Sequence, residues 1–314
     1  MLELRDLDLN LYHYTPSRVG SVIFIVLFAV STAIHGHLCW RLRAWFFIPV
    51  VIGGIFELLG YCARAAGSTN LGSIGVYIVQ AVVILLAPAL FAASIYMTLS
   101  RIIRLVHAEH LAMINVRRIS RFFVLSDLAC FQIQSVGANL QALDSKTLKN
   151  IGKWIVVGGL VLQVVMFGFF MVVAGRFHRS VRRRPTAQSI DPGMPWERSM
   201  YVMYGTSLLV LIRNCVRVAD YAQGTYGWIT DHEAMLFALD AVPMFTVLSV
   251  LLIWHPARLL SKAQRLERVS SSQDGFLAAQ AGHVSAEERL EGAVRLTTLG
   301  TPLKPDESQR VGSS

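Results

Sequence analysis

Long apolar runs alternate along the chain with short connections rich in arginine. A helix needs roughly 20 mostly apolar residues to cross the hydrocarbon core of a bilayer. Seven stretches qualify: Val19 to Trp40, Ala44 to Ala63, Ile74 to Leu99, Phe122 to Leu143, Trp154 to Ala174, Met200 to Tyr221 and Ala234 to Trp254. Strands of a membrane barrel alternate in polarity and are about half as long, so the pattern predicts helices. The fourth stretch is the most polar. In it Asp127, Gln134 and Gln141 recur every seven residues, with Asn139 nearby, and Gln163 falls midway along the fifth. Such a stripe faces the bundle interior rather than lipid. It serves either as interhelical hydrogen bonding or as the lining of a translocation groove.

Composition supports the same class. Of 314 residues 54% are hydrophobic and 16% charged, against about 25% charged in a soluble domain, and the mean hydropathy is +0.50. This excludes a soluble enzyme and a disordered polymer. The net charge of +9 does not signal nucleic acid, because lysine and arginine gather on the cytoplasmic side of membrane proteins. The first, third and fifth connections and the start of the tail hold 17 lysines and arginines, against 6 on the opposite side. The N-terminus is therefore expected outside and the C-terminus in the cytosol, with Lys146, Lys149 and Lys153 the exception. The expected organisation is a short extracellular N-terminus (1–18), a seven-helix membrane domain (19–256) and a cytosolic, largely disordered tail (257–314). Residues 258–269 carry an apolar stripe opposite basic residues, a pattern suited to an anionic inner leaflet or to a solvated frayed end. The acidic start, with Glu3, Asp6 and Asp8, gives no expectation of a cleaved signal peptide.

Ionisable groups in membrane helices need a partner or a wet cavity. Glu57 and Arg64 share a face of the second helix, and Arg213, Arg217 and Asp220 share a face of the sixth. Glu233 opens the seventh, with Asp240 about two turns further in. With the N-terminus outside, all seven fall in the outer half of the membrane or at its outer edge. They read as a clasp that orients helices two, six and seven, as a polar chamber for a headgroup, or as both. Four acids face three arginines, so one carboxylate is left for a cationic ligand. Asp240 is the expected one, with Glu57 paired to Arg213 or Arg217. Pro49, Pro88 and Pro243 predict kinks, and Gly53, Gly54, Gly158 and Gly159 predict close helix approach.

No G-x-x-x-x-G-K-[ST] motif is present, which leaves ATP hydrolysis unsupported, and no cofactor is expected. The four cysteines form no C-x-x-C pair. Ser31, His35, Asp127 and His255 resemble part of the ligand set of seven-helix zinc hydrolases that act on lipid amides. The second histidine those enzymes need in the last helix is missing.

Taken in order, the motifs resemble the fungal lipid-translocating exporter family, also called aminocholesterol-resistance or RTA-like. The entry has Tyr14, Pro16 and Ser17. Helix two carries E-x-x-G-Y-x-x-R as Glu57, Gly60, Tyr61 and Arg64. Helix three reads L-A-P-A-L-x-A-A-S-I-Y-M from Leu86 to Met97, and helices four and five match at Asp127, Gln134, Gly137, Gly159, Gln163 and Phe170. Helix six resembles R-x-x-x-R-x-x-E-Y-x-Q-G through Arg213, Arg217, Asp220, Tyr221, Gln223 and Gly224, with Asp220 where Glu is usual. The last helix matches through His232, Glu233, Asp240, Pro243, Met244, His255 and Pro256, with Phe237 for the usual Tyr and Ala257 for the usual Gly. The resemblance covers residues 12–257. It implies export or outward flipping of sphingoid long-chain bases or related amphiphiles, resistance to toxic amphiphiles, and no enzymatic step. The alternative is a lipid-sensing seven-helix receptor. Membrane lipids and a small amphiphile are the expected partners, and the plasma membrane, or else a vacuolar or endosomal one, the expected location. Substrate contacts are expected from Glu57, Tyr61, Arg64, Asp127, Gln134, Gln163, Arg213, Arg217, Asp220, Glu233 and Asp240.

The charge asymmetry predicts topology directly. In a background lacking the native cysteines, Ser68→Cys should label from outside intact cells and Ser189→Cys only after permeabilisation; the opposite pattern inverts the protein.

Overall fold

A computed structural model describes residues 18–67, 74–141, 143, 145–191, 194–223, 233–256 and 258. The chain divides into two units, Met1–Ser261 and Lys262–Ser314, and every described residue belongs to the first. The expectations for the entry motif and for the tail from residue 259 onward lie outside the described residues.

The described residues form helices and turns and no strand. The long helices are α1 (Arg18–Arg41), α2 (Ile48–Gly67, entered through a 3₁₀ turn at Trp45–Phe47), α3 (Ile74–Leu105), α4 (Val116–Gln141), α5 (Lys146–Arg183) and α6 (Trp196–Gln223). A last helix, α7 (Val242–Ile253), follows a helical turn at Glu233–Leu236 and a π-helical turn at Phe237–Ala241. Each helix packs against its neighbours in sequence, α7 returns to α1, and α3 also packs on α6. The result is a closed ring with α3 its most buried span.

Five of these helices are long and apolar enough to cross a membrane: Arg18–Arg41, Trp45–Gly67, Val79–Leu105, Lys146–Arg183 and Trp196–Gln223, with Phe237–Ile253 a shorter apolar one. The chain is a multi-pass membrane protein. Its polarity runs inside out relative to a soluble bundle. On α1, Ser21, Ser31, Thr32 and His35 are buried while Val19, Val22, Ile23, Val26 and Val30 face outward. On α4, Asp127, Gln134 and Gly137 are buried while Phe122, Leu125, Leu128, Ile133 and Val136 face outward. The polar residues left on its outer surface are the arginines of the first turns, Arg117, Arg118 and Arg121, together with Gln132 and Asn139.

Glycine sets the tightest approach, between α4 and α5. A Cβ on Gly137 would stand 2.7 Å from the Gly152 carbonyl oxygen, and one on Gly159 would stand 2.8 Å from Gln134 Cγ. Gly53 and Gly54 accept Phe91 and Thr32 in the same way. Gly158 differs from expectation, since nothing lies within 4 Å of its Cβ direction; it is on the outward face. Pro49 also departs from expectation. It occupies the first turn of α2, where no helical N–H is needed, so it gives no cause for a kink.

Backbone against backbone cannot yield as a side chain can. Gly137→Ala should therefore lower stability by about 1–3 kcal/mol, and Gly158→Ala should leave it unchanged or slightly higher; thermal melting of the purified protein in detergent reads both.

Candidate functional site

At the end of the ring away from the arginine-rich connections, α2, α3, α6 and the π turn before α7 bring ionisable groups into the interior. Asp240 is buried and its two oxygens are both taken. Arg213 Nε donates to Oδ1 at 2.6 Å and Arg217 Nη2 donates to Oδ2 at 2.7 Å. Arg213 Nη2 also donates to the Ile84 carbonyl at 2.9 Å. That carbonyl lacks its usual helical donor because Pro88, four residues on, has no N–H. A proline in α3 thus creates the acceptor that holds a guanidinium of α6. Arg217 reaches on to Asp220 at 3.9 Å.

The chain's path into α7 supports this arrangement. Asp240 lies in the π-helical turn Phe237–Ala241, directly ahead of Pro243. An extra residue per turn accommodates the missing proline donor, and such turns recur at functional sites.

Glu57 stands apart. It is 1% exposed, and its Oε1 is buried without a hydrogen-bond partner, although it lies within the electrostatic reach of Asp240, Arg213 and Arg217. This corrects two expectations. Glu57 is not the hydrogen-bonded partner of Arg213 or Arg217, because both guanidiniums donate to Asp240 instead. Asp240 is not the uncommitted carboxylate, because two guanidiniums flank it. The side-chain amphipathicity of Glu57, Tyr61 and Arg64, spaced four and three, places all three on the buried face of α2.

Aromatic rings pack around Tyr61. Tyr61 stacks on Phe28 at 5.6 Å and on Phe24 at 5.5 Å, and Phe24 stacks on Phe237 at 5.4 Å. The Arg64 guanidinium lies over the Phe237 ring at 5.2 Å. The Tyr61 hydroxyl is buried without a hydrogen-bond partner. The site therefore offers one carboxylate oxygen and one phenol as open polar groups, set among apolar and aromatic surfaces. The side chain of Glu233, like His232 and Gly224, lies outside the described residues.

The remaining expected residues form a separate seam. The Tyr96 hydroxyl of α3 donates to Asp127 Oδ2 at 2.9 Å, and Gln134 Nε2 of α4 donates to Gln163 Oε1 of α5 at 3.0 Å. Gln141 turns back to its own helix at the Gly137 carbonyl, and Asn139 is exposed. These contacts stitch α3, α4 and α5 and do not include the charged group. His35 donates to the Leu248 carbonyl at 3.0 Å and lies near His255, with ring centroids 5.8 Å apart. Asp127 is occupied with Tyr96 instead, so the partial zinc-ligand set is not assembled. Among the described residues no group of three or more potential metal ligands occurs. Sequence reasoning missed the Ile84 carbonyl and the phenylalanines packed around Tyr61. The position of Pro88 four residues after Ile84 held the signal for the first.

The family described as RTA1 like protein matches residues 50–263. The chain belongs to the RTA1-like family. Protoporphyrin uptake protein 1 of Saccharomyces cerevisiae is 32% identical over 278 residues, covering 77% of this chain and 91% of that protein. The probable lipid transporter atnI of Emericella nidulans is 29% identical, over 80% of this chain and 68% of its own length. The sphingoid long-chain base transporter RSB1 of Saccharomyces cerevisiae is 23% identical, over 77% and 72%. No solved structure matches.

Removing one side of a buried ion pair costs about 3–5 kcal/mol. Asp240→Asn and Arg213→Gln should each fall in that range, and the double variant should regain part of the loss. Glu57→Gln should lose little or nothing. Folded yield and melting temperature across this set distinguish the Asp240 clasp from a Glu57 pair.

Proposed function

We propose that this RTA1-like protein is a transporter that exports or flips amphiphilic lipids, sphingoid long-chain bases or related amphiphiles, across its membrane without hydrolysing ATP. It spans the membrane seven times with the N-terminus outside, and it protects the cell against toxic amphiphiles. Two points support seven spans. Asp127 and Gln134 of α4 are turned inward, and the helical run from Glu233 to Ile253 is about 30 Å long at 1.5 Å per residue. The names of two relatives, a lipid transporter and a sphingoid long-chain base transporter, support the substrate class.

The observation that carries the reading is Glu57. Asp240 is neutralised by two arginines, so the amine of a single-tailed lipid finds its unpartnered acceptor at the Glu57 oxygen. Phe24, Phe28 and Phe237 offer the apolar surface that the upper part of the chain needs, while the tail stays in lipid. Desolvation of the ammonium is then compensated by a charge-assisted hydrogen bond. A second reading follows from Arg217, which retains partial exposure, and from the relative named for protoporphyrin uptake. An anionic amphiphile would approach that guanidinium. A receptor with the same helices would bind a lipid without moving it.

Purified protein in phosphatidylcholine liposomes separates these outcomes. Fluorescent long-chain base should cross unaided, and Glu57→Gln should slow it roughly ten- to a hundredfold, the loss expected for one charged hydrogen bond. An amine-free analogue should be affected much less. Faster transport of a porphyrin dicarboxylate than of the base, sensitive to Arg217→Gln, would favour the anionic reading; binding of the base without flux would favour the receptor.

A further inference from the structure

The opposite end of the ring carries a second polar feature that the transport reading leaves unused. A cleft of about 460 Å³ opens between α5 and α6, lined by Gly175, His178, Arg179, Arg182, Arg183 and Tyr204. The three arginines are exposed at its mouth. Arg182 has an acidic partner, Glu197, at 3.5 Å, which leaves the cleft with a net positive charge. His178 is buried at its wall. The Tyr204 hydroxyl donates to the Ala174 carbonyl at 3.1 Å and lies 3.2 Å from His178 Nδ1. With its single proton committed, Tyr204 accepts from Nδ1–H, a tautomer assigned from the hydrogen-bond network. Nε2 of the imidazole is then the open position, and it is buried without a hydrogen-bond partner.

Depth identifies the ligand. Gly175 is eight residues before the end of α5 at Arg183, about 12 Å along the helix. The apolar run of α5 ends at Ala174, so the floor of the cleft at Gly175 adjoins the apolar run while its arginines lie beyond it. Trp196 and Tyr201 pack on His178, with ring centroids at 5.4 and 5.5 Å, as aromatic residues do at that level. The α5–α6 connection is held in place: Thr186 donates to the Val106 carbonyl at 2.6 Å and Trp196 Nε1 to the Ser189 carbonyl at 3.0 Å. The walls are thus preformed.

We propose that this cleft is a binding site for an anionic phospholipid, distinct from the transported substrate. The phosphate lies against Arg179 and Arg183, and the acyl chains leave along Gly175 into the bilayer. With the arginine-rich end cytosolic, the lipid comes from the inner leaflet, where anionic lipids concentrate and where basic pockets between helices bind such headgroups.

Gly175 provides a test that leaves every charge in place. Nothing lies within 4 Å of a Cβ added there, so Gly175→Leu obstructs the floor of the cleft from a position with room for a side chain. Native mass spectrometry of the full-length protein in detergent would compare phosphatidylinositol 4-phosphate, phosphatidylcholine of the same chains, and soluble inositol 1,4-bisphosphate. The phosphoinositide should be retained over phosphatidylcholine and over the soluble headgroup, less so as salt is raised. Arg179→Gln with Arg183→Gln should weaken it roughly thirtyfold, and Gly175→Leu should remove the preference with an unchanged melting temperature. Equal retention of both lipids overturns the proposal. So does an undiminished preference in Gly175→Leu, which would mean a diffuse basic surface, and so does soluble headgroup binding as tight as lipid, which would mean a free-phosphate site. Long-chain base flux through Gly175→Leu is read separately, so failure here leaves the transport reading standing.

Discussion

The capture of Asp240 by Arg213 and Arg217 is the interaction on which the rest of the charged end depends. A buried charge is tolerated only when its partners are placed well enough to repay desolvation. Here the placement is supplied by three elements at once. The π turn sets Asp240, one face of α6 sets both guanidiniums, and the carbonyl freed by Pro88 takes an Nη2–H of Arg213. Both oxygens of Asp240 are thereby engaged, while Oε1 of the neighbouring acid on α2 has no donor.

Each end of the ring leaves a buried polar atom without a partner. One end holds the Glu57 oxygen, on the same helix face as Tyr61, whose ring stacks with Phe24 and Phe237. The other holds arginines around an imidazole whose Nε2 has no partner. Between them the interior is filled by Phe91, Tyr96, Phe123, Phe167 and Phe170 and by the Tyr96–Asp127 and Gln134–Gln163 hydrogen bonds. That packing leaves α3, α4 and α5 as a stitched unit. The charged groups are carried instead by α2, α6 and the approach to α7.

Much of this was legible in the amino-acid order. Apolar run lengths located every long helix, because backbone groups in lipid must be satisfied within the segment. The grouping of Glu57, Arg213, Arg217 and Asp240 followed from shared helix faces and a common depth. Pairing did not follow, since facing residues on three helices allow several combinations and the choice depends on a π turn that shifts Asp240 by a fraction of a turn. The α4 stripe makes the interhelical hydrogen bonds its spacing indicated, but its partners differ from residue to residue. A heptad spacing put Asp127, Gln134 and Gln141 on one face, but two neighbouring helices share that face, so Asp127 meets α3, Gln134 meets α5 and Gln141 folds back. The chemistry of Ile84 was hidden because the acceptor is backbone and only the proline that exposes it is visible in the side chains.

The central claim is that Glu57, and not Asp240, receives the charged group of the substrate. An experimental structure of the protein in a lipid nanodisc with a bound sphingoid long-chain base tests it most directly. The account predicts the amine within hydrogen-bonding distance of Glu57, with Arg213 and Arg217 still on Asp240 and the tail directed past Phe24 and Phe237 toward lipid. An amine seated on Asp240 with the two guanidiniums turned away would contradict it.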